Sequence, residues 1–413
     1  MTAALELGMK RPHSRLISTL TNGKADGAKP KKRAKMSPQR VHKFVESLVA
    51  DHMHAKRVLS MSGAVVGVLH AASLGVHAIG LGLAEVVGLQ KKHAVKQVDR
   101  LLSNRGIDVW EEFATWVPFA LGARKEALVA LDWTEFDADD QVTLCLSLVT
   151  SHGRATPLMW MTVIKSELAE QRNAHEDKLL CRLAEVVPED VDITILADRG
   201  FGDQARYEQI EELGFKFIIR FRQAIEVTTA KGESQPAADL LSASGRAKIY
   251  RDVEVTKDRT PLPAVVVVHN KKMKDPWCLA TNCDDMSASQ VVKAYGRRFT
   301  IEETFRDTKD ARFGLGMSNS RIKKPERRDR LFFLAAIAGV LLTLLGAAGE
   351  AIGIDRYLKV NTSKKRQYSL YRQGTEWYGL IPMMDGHQLR RLMKKFGELI
   401  QDHAMCRRVV GVV

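Results

Sequence analysis

"DITILADRGFGDQARYEQIEELGFKFIIRF", residues 192–221, reads as a strand, a helix and a second strand. The apolar run from Ile193 to Ala197 and the run "FKFIIRF" have strand length, and "QARYEQIEELG" between them has helical length and polarity. Strand, helix and strand in such close order are the repeating unit of a layered α/β domain.

Working outward, three apolar, β-rich runs precede this unit: "ALVALDWTEF", "QVTLCLSLVTSHG" and "RATPLMWMTVI". Short polar turns join them, which predicts an antiparallel meander. A helical segment, "HEDKLLCRLAEVV", connects the meander to the opening unit. The predicted fold is α/β with a mixed sheet. The element order is that of a ribonuclease-H-like catalytic domain, in two parts at residues 125–222 and 291–350. Between the parts, residues 223–290 hold short strands broken by Gly, Pro and Asn, and are expected to form a β-rich insertion. Residues 41–124 are expected to form a helical DNA-binding domain. Residues 351–413 are expected to be a helical C-terminal region with dimer contacts, including a basic run at 364–372 and an amphipathic helix over 389–400.

The chain has 413 residues and a formal net charge of +14, with 45% hydrophobic and 7% aromatic residues. That composition suits a folded protein of several units, and the charge points to a polyanion such as nucleic acid. Residues 1–40 carry ten Lys or Arg against Glu6 and Asp26, a net of +8, and almost no large apolar residues. A disordered basic arm that adds phosphate contacts is the expectation there. The five cysteines are scattered, with no C-x-x-C pair and no apolar signal segment at the start. This argues for a reducing cytoplasm and against structural zinc or disulfides. Residues 331–348 contain no charge and reach the lower limit of a membrane span, but in so basic a chain a helix buried on all sides is the better account.

In "QKKHAVKQVDRLLSNR", Lys92, Lys96 and Arg100 recur at spacing four, opposite Val95, Val98, Leu101 and Leu102. A basic stripe backed by an apolar one suits a helix laid in a DNA groove. His70 and His77 lie seven apart in an apolar stretch without carboxylate or thiolate companions, and are expected to be core or near-core residues sharing one helical face.

Three acids stand out by context. Asp132 ends the strand in "LDWTEF", and Asp198 ends the strand in "ILADRGF", where Gly200 would let the backbone turn sharply. Glu302 lies in "YGRRFTIEETFRDTKD". On a continuous helix Tyr295, Arg298, Glu302, Arg306 and Lys309 would share one stripe about 80° wide, while Ile301 and Phe305 face the core. Like charges at 4 Å repel by roughly 1 kcal/mol in water and roughly 4 at a protein surface, so three clustered carboxylates want a divalent cation between them. Two Mg²⁺ ions, with Mn²⁺ as a substitute, would activate a water or a 3′-hydroxyl for in-line phosphoryl transfer. Arg298, Arg306 and Lys309 would then hold the phosphodiester beside Glu302. The acids are 66 and 104 positions apart, so only the fold can assemble them.

The spacing of Tyr295, Arg298, Glu302 and Lys309 resembles the Tyr-Arg-Glu-Lys signature of bacterial insertion-sequence transposases of the DDE class, in the group called the IS-four family. "DRLLSNR", "LDWTEF", "HGR" at His152, "PWCLATN", "IEETFRDTK", "GLG" and "SR" are similar to its transposon-ten branch, in the same order, from about residue 90 to about 345. The resemblance implies that Asp132, Asp198 and Glu302 bind the metal ions. It also implies excision by hydrolysis, hairpin formation and opening, and strand transfer, by a homodimer on two paired terminal inverted repeats. Tyr295, Arg298 and Lys309 would contact the transposon-end backbone, and Trp277 would stack on a flipped base. A bacterial, cytoplasmic, nucleoid-associated enzyme acting on double-stranded DNA, without membrane attachment, is the resulting expectation. The alternatives are a catalytically silent copy that only occupies element ends, and a nuclease that cuts without joining.

Overall fold

The computed structural model describes residues 38–49, 53–312, 314–360 and 362–401. The basic arm expected over 1–40 lies outside the described residues except for its last three positions, as does Cys406.

Five helices come first: α1 (Pro38–Val49), α2 (Ala55–Ala71), α3 (Val76–Val87), α4 (Lys91–Leu102) and α5 (Val109–Leu121). Small residues set how closely they pack. A Cβ on Gly80 would lie 2.5 Å from Cα of Val95, so α3 and α4 meet backbone to backbone. The apolar stretch that carries His70 and His77 is two helices, α2 and α3, bent by 97°. The shared face expected for the two histidines is therefore absent. His70 pairs with Glu85 at 3.1 Å, while His77 is exposed and not a core residue.

The centre of the molecule is one ten-stranded mixed sheet. Its first strands, β1 (Glu126–Phe136), β2 (Gln141–Leu148) and β3 (Thr156–Ile164), form the antiparallel meander. Helix α6 (Arg172–Val186) crosses to β4 (Asp192–Ala197), and α7 (Gln204–Glu212) crosses to β5 (Lys216–Phe221). β4 pairs in parallel with both β1 and β5. Every residue of β2 is buried, as expected of a strand covered on both faces.

Residues 223–290 do not form a separate body. Their strands β6 (Glu226–Thr228), β7 (Ser234–Pro236), β8 (Lys248–Val255), β9 (Thr260–Val268) and β10 (Trp277–Thr281) continue the same sheet, in the order β3-β2-β1-β4-β5-β10-β9-β8-β6-β7. The join is antiparallel, between β10 and β5.

After the sheet come α8 (Ala288–Gly296) and α9 (Thr300–Lys309), then α10 (Pro325–Ala351), α11 (Leu370–Leu380) and α12 (Gly386–Gln401). α8 opens with a capping box of Ser287 and Gln290, and Pro325 starts α10 where its missing N–H costs nothing. α10 is the one described helix long and apolar enough by itself to cross a membrane, and 89% of its most apolar window is buried inside the fold. It packs on β3, where the Trp160 indole donates to the Asp329 carbonyl at 3.0 Å and Thr162 N–H donates to the Asp329 carboxylate at 3.0 Å. Gly346 and Gly374 let α10 and α11 touch backbone to backbone.

Candidate active site

The site is built at one end of the sheet. The last parallel rung between β1 and β4 is Leu131 with Ala197, so Asp132 and Asp198 follow on adjacent strands. Asp132 is largely buried, and its Oδ1 accepts from the Trp133 backbone N–H at 2.9 Å. Burial pushes its pKa up to about 6; Arg298 opposes the rise, and the nearby charges of Asp198 and Glu302 add to it.

Asp198 caps a single 3-10 turn, Arg199–Phe201, and its Oδ1 accepts from Gly200 N–H at 2.8 Å. The role expected of Gly200 changes here. Its φ is not in the left-handed region, so no glycine-only turn is made. A Cβ would instead lie 3.1 Å from the Asp198 carboxylate, and the glycine keeps that approach clear.

Glu302 lies in the first turn of α9, with about half of its side chain exposed. The continuous helix expected from Tyr295 to Lys309 is broken: α8 ends at Gly296, residues Arg297–Phe299 form a 3-10 turn, and α9 begins at Thr300. A 3-10 turn advances about 20° more per residue than an α-helix, which swings the preceding residues inward. Tyr295 is 1% exposed and Arg298 6%, so neither belongs to a solvated row. Tyr295 packs edge-on against Trp277 at 4.9 Å, and Trp277 lies tilted over the partly exposed Phe299 at 6.0 Å.

Arg298 joins the first acid to the third. Its guanidinium donates to Asp132 Oδ2 at 3.0 Å and to Glu302 Oε1 at 2.9 Å, over the Phe299 ring. Lys309 is also turned inward: its ammonium donates to Thr134 Oγ1 at 3.1 Å and to the Glu135 carbonyl at 2.6 Å, and burial pushes its pKa down. Arg306 stays exposed and pairs with Glu303 at 2.9 Å.

Several residues that hold this geometry carried no functional reading in the sequence. Arg154, of the "HGR" turn, pairs with Asp307 on α9, and Gly153 takes φ +88° to present it. Ala155 exchanges two hydrogen bonds of 2.9 Å with Thr304 Oγ1. The loop after β2 thus grips the helix that carries Glu302. Behind Asp132, the Trp133 indole donates to Glu176 at 2.7 Å, and Glu176 pairs with Arg206 on α7 at 2.9 Å, both side chains being buried. "HGR" was visible as a motif. The Glu176–Arg206 pair left no sequence signal, because each is one charge among many on a helix.

Lys92, Lys96 and Arg100 are exposed along α4, opposite the buried Ala94, Val98, Leu101 and Leu102. Lys96 and Arg100 line a groove with Lys56, Arg57 and His93. A second groove, of about 890 Å³, is lined by Arg105, Arg321, Lys323 and Lys324 among others. A third, beside Glu302, has Arg306 and Lys309 in its wall.

Residues 148–341 match the family model described as the transposase DDE domain. Over those residues the chain is similar to a transposase DDE domain. The matched span is just under half of the chain; it includes Asp198 and Glu302, and it begins after Asp132. No curated protein matches the chain. Among the described residues, no group of three or more His, Cys, Asp or Glu is close enough to hold a metal ion as the side chains stand. The donor chemistry nevertheless fits a divalent cation. Three hard oxygen donors influence one another, and a guanidinium fills the counter-ion position between two of them.

Proposed function

We propose that this chain is a DNA transposase of the IS-four, transposon-ten-like kind, which excises and inserts an element by phosphoryl transfer. What supports this reading is that Arg298 joins Asp132 to Glu302, with Asp198 on the neighbouring chain segment, at one end of a sheet in a chain whose residues 148–341 resemble a transposase DDE domain. The catalytic unit is of ribonuclease-H-like type, with β6 to β10 as its inserted strands.

Asp132, Asp198 and Glu302 would hold Mg²⁺, or Mn²⁺ in its place. The ions would supply a Lewis acid and an activated oxygen nucleophile at the scissile phosphate. The chain's own residues do the remainder. Arg298 and Lys309 carry positive charge at the acids and meet the phosphodiester there, with the exposed Arg306 at the entrance. Lys92, Lys96 and Arg100 hold the duplex backbone away from the chemistry, and Trp277 with Phe299 offers an aromatic surface to an unstacked base. End cleavage, hairpin formation and opening, and strand transfer proceed in a homodimer on paired terminal repeats, in the bacterial cytoplasm.

The test is an in vitro assay with Mg²⁺ on a plasmid carrying the DNA that flanks the gene, comparing the wild type with Glu302→Gln. Double-strand release at the element ends by the wild type alone, through hairpin intermediates, is expected. Binding without cleavage by either protein would instead support a silent copy that occupies element ends. Nicking without joining would point to a nuclease.

A further inference from the structure

Among the described residues Arg298 differs from the other buried arginines, Arg206 and Arg328, in the acids that it joins. It is 6% exposed, and its two terminal nitrogens are spent on two carboxylates from different elements, Asp132 on β1 and Glu302 on α9. Its third donor, Nε, is buried and has no hydrogen-bond acceptor among the described residues. The unmet nitrogen does not set Arg298 apart, since Arg206 Nε and a terminal nitrogen of Arg328 are unmet too; its two acids do. Arg298 thus occupies the place between two acids of different elements where a divalent cation would meet the same two.

The two occupants compete. A carboxylate held by a guanidinium offers fewer free lone pairs to a metal ion, and two positive centres close to one carboxylate pair repel each other. A planar guanidinium binds a phosphate oxygen pair as readily as a carboxylate, so a DNA strand entering beside Glu302 gives Arg298 a new partner.

We propose that Arg298 is an internal counter-ion: it holds the first and third acids together while metal is absent, and releases them to metal when DNA phosphate takes its guanidinium. Metal loading and DNA binding are then coupled through one side chain, and by linkage each tightens the other by the same factor. This rests on the transposase reading and adds an order to it. Arg298 acts as a positioning residue, and the protein without DNA keeps its acids closed to metal.

The experiment measures Mn²⁺ affinity by calorimetry, with and without a duplex made from the DNA flanking the gene, for wild type, Arg298→Gln, Arg298→Lys and Asp198→Asn. In the wild type, DNA is expected to tighten Mn²⁺ binding about tenfold or more, equivalent to about 1.4 kcal/mol. Arg298→Gln is expected to bind Mn²⁺ about tenfold more tightly than wild type without DNA, and to lose most of the gain on adding DNA. Arg298→Lys, which keeps the charge and loses the fork, falls between them. Asp198→Asn removes the signal and so identifies the site. Wild-type Mn²⁺ affinity that is equal with and without DNA overturns the proposal, even if the variants do not fold, and so does a folded Arg298→Gln that binds no tighter than wild type. In either case the transposase reading stands. Wild type that binds no Mn²⁺ in either condition overturns both.

Discussion

Leu131 and Ala197 are paired across β1 and β4 in parallel register, so Asp132, which stays in β1 opposite Cys145 of β2, and Asp198, which follows the end of β4, are the next residues on adjacent chains. Two acids 66 positions apart thus need only one correct strand pairing to become neighbours. Glu302 has no such rung to place it. Its position depends on side chains that tie α9 to the sheet end, and these give the first predictions.

Arg154→Ala removes the ion pair to Asp307 and leaves a partly buried carboxylate without its partner. A stability loss of about 1–3 kcal/mol is expected. Cleavage should fall further than stability alone explains, because α9 carries Glu302. Thermal melts beside single-turnover cleavage at a temperature where the variant is folded would separate the two effects.

Gly200→Ala puts a methyl 3.1 Å from the Asp198 carboxylate. The turn is exposed and its φ is ordinary, so stability should change by less than about 1 kcal/mol. Metal-dependent cleavage should drop while duplex binding persists. Equal loss of both in a gel-shift and cleavage series would count against this role.

Gly346→Ala and Gly374→Ala each place a Cβ inside contact distance of backbone on the facing helix, at Leu370 and Leu342. Separating α10 from α11 should cost at least about 3 kcal/mol. Gly379 is on α11 too, but its Cβ would meet nothing within 4 Å. Gly379→Ala should therefore be neutral or stabilise by up to about 1 kcal/mol. Melting temperatures of the three variants decide it.

Asp329 is partly buried where α10 packs on β3, and that burial pushes its pKa up to about 7, against the Thr162 hydrogen bonds that lower it. Between the ordinary carboxylate range and pH 7 the folded state holds a proton that the unfolded chain has released. Stability from this group is therefore complete below about pH 4 and declines as pH rises to about 7. Asp329→Asn should remove that decline, so its stability relative to wild type should rise with pH by at most about 1.4 kcal/mol per unit. Denaturant titrations at pH 5, 6, 7 and 8 would reveal a flat difference if the group is not protonated.

The element order of the core could be read from the sequence because its strands and helices differ in period and length, and Asp198 could be placed at a strand end for the same reason; Asp132, expected to end its strand, instead lies within β1, because pairing with β2 carries that strand on to Phe136. What could not be read depends on departures from regular geometry or on distant partners. The 3-10 turn at Arg297–Phe299 interrupts a pattern that remains helical by residue type, and it turns Tyr295 and Arg298 inward. The contact of Arg298 with Asp132 spans 166 positions. The pairing of β10 with β5 likewise follows from topology alone, since an apolar run shows that it is a strand but not which edge it joins.

That pairing also sets where the protein tolerates change. β5 is covered by β4 on one side and β10 on the other, so removing residues 223–290 would strip a central strand of half its backbone partners and expose Ile218 and Ile219 at an adhesive edge. The outermost hairpin, β6 with β7, has three residues in each strand and an exposed tip at residues 230–232. A reporter sequence inserted at that tip should leave the opposite end of the molecule undisturbed, and shortened versions of this architecture should lose strands from there inward.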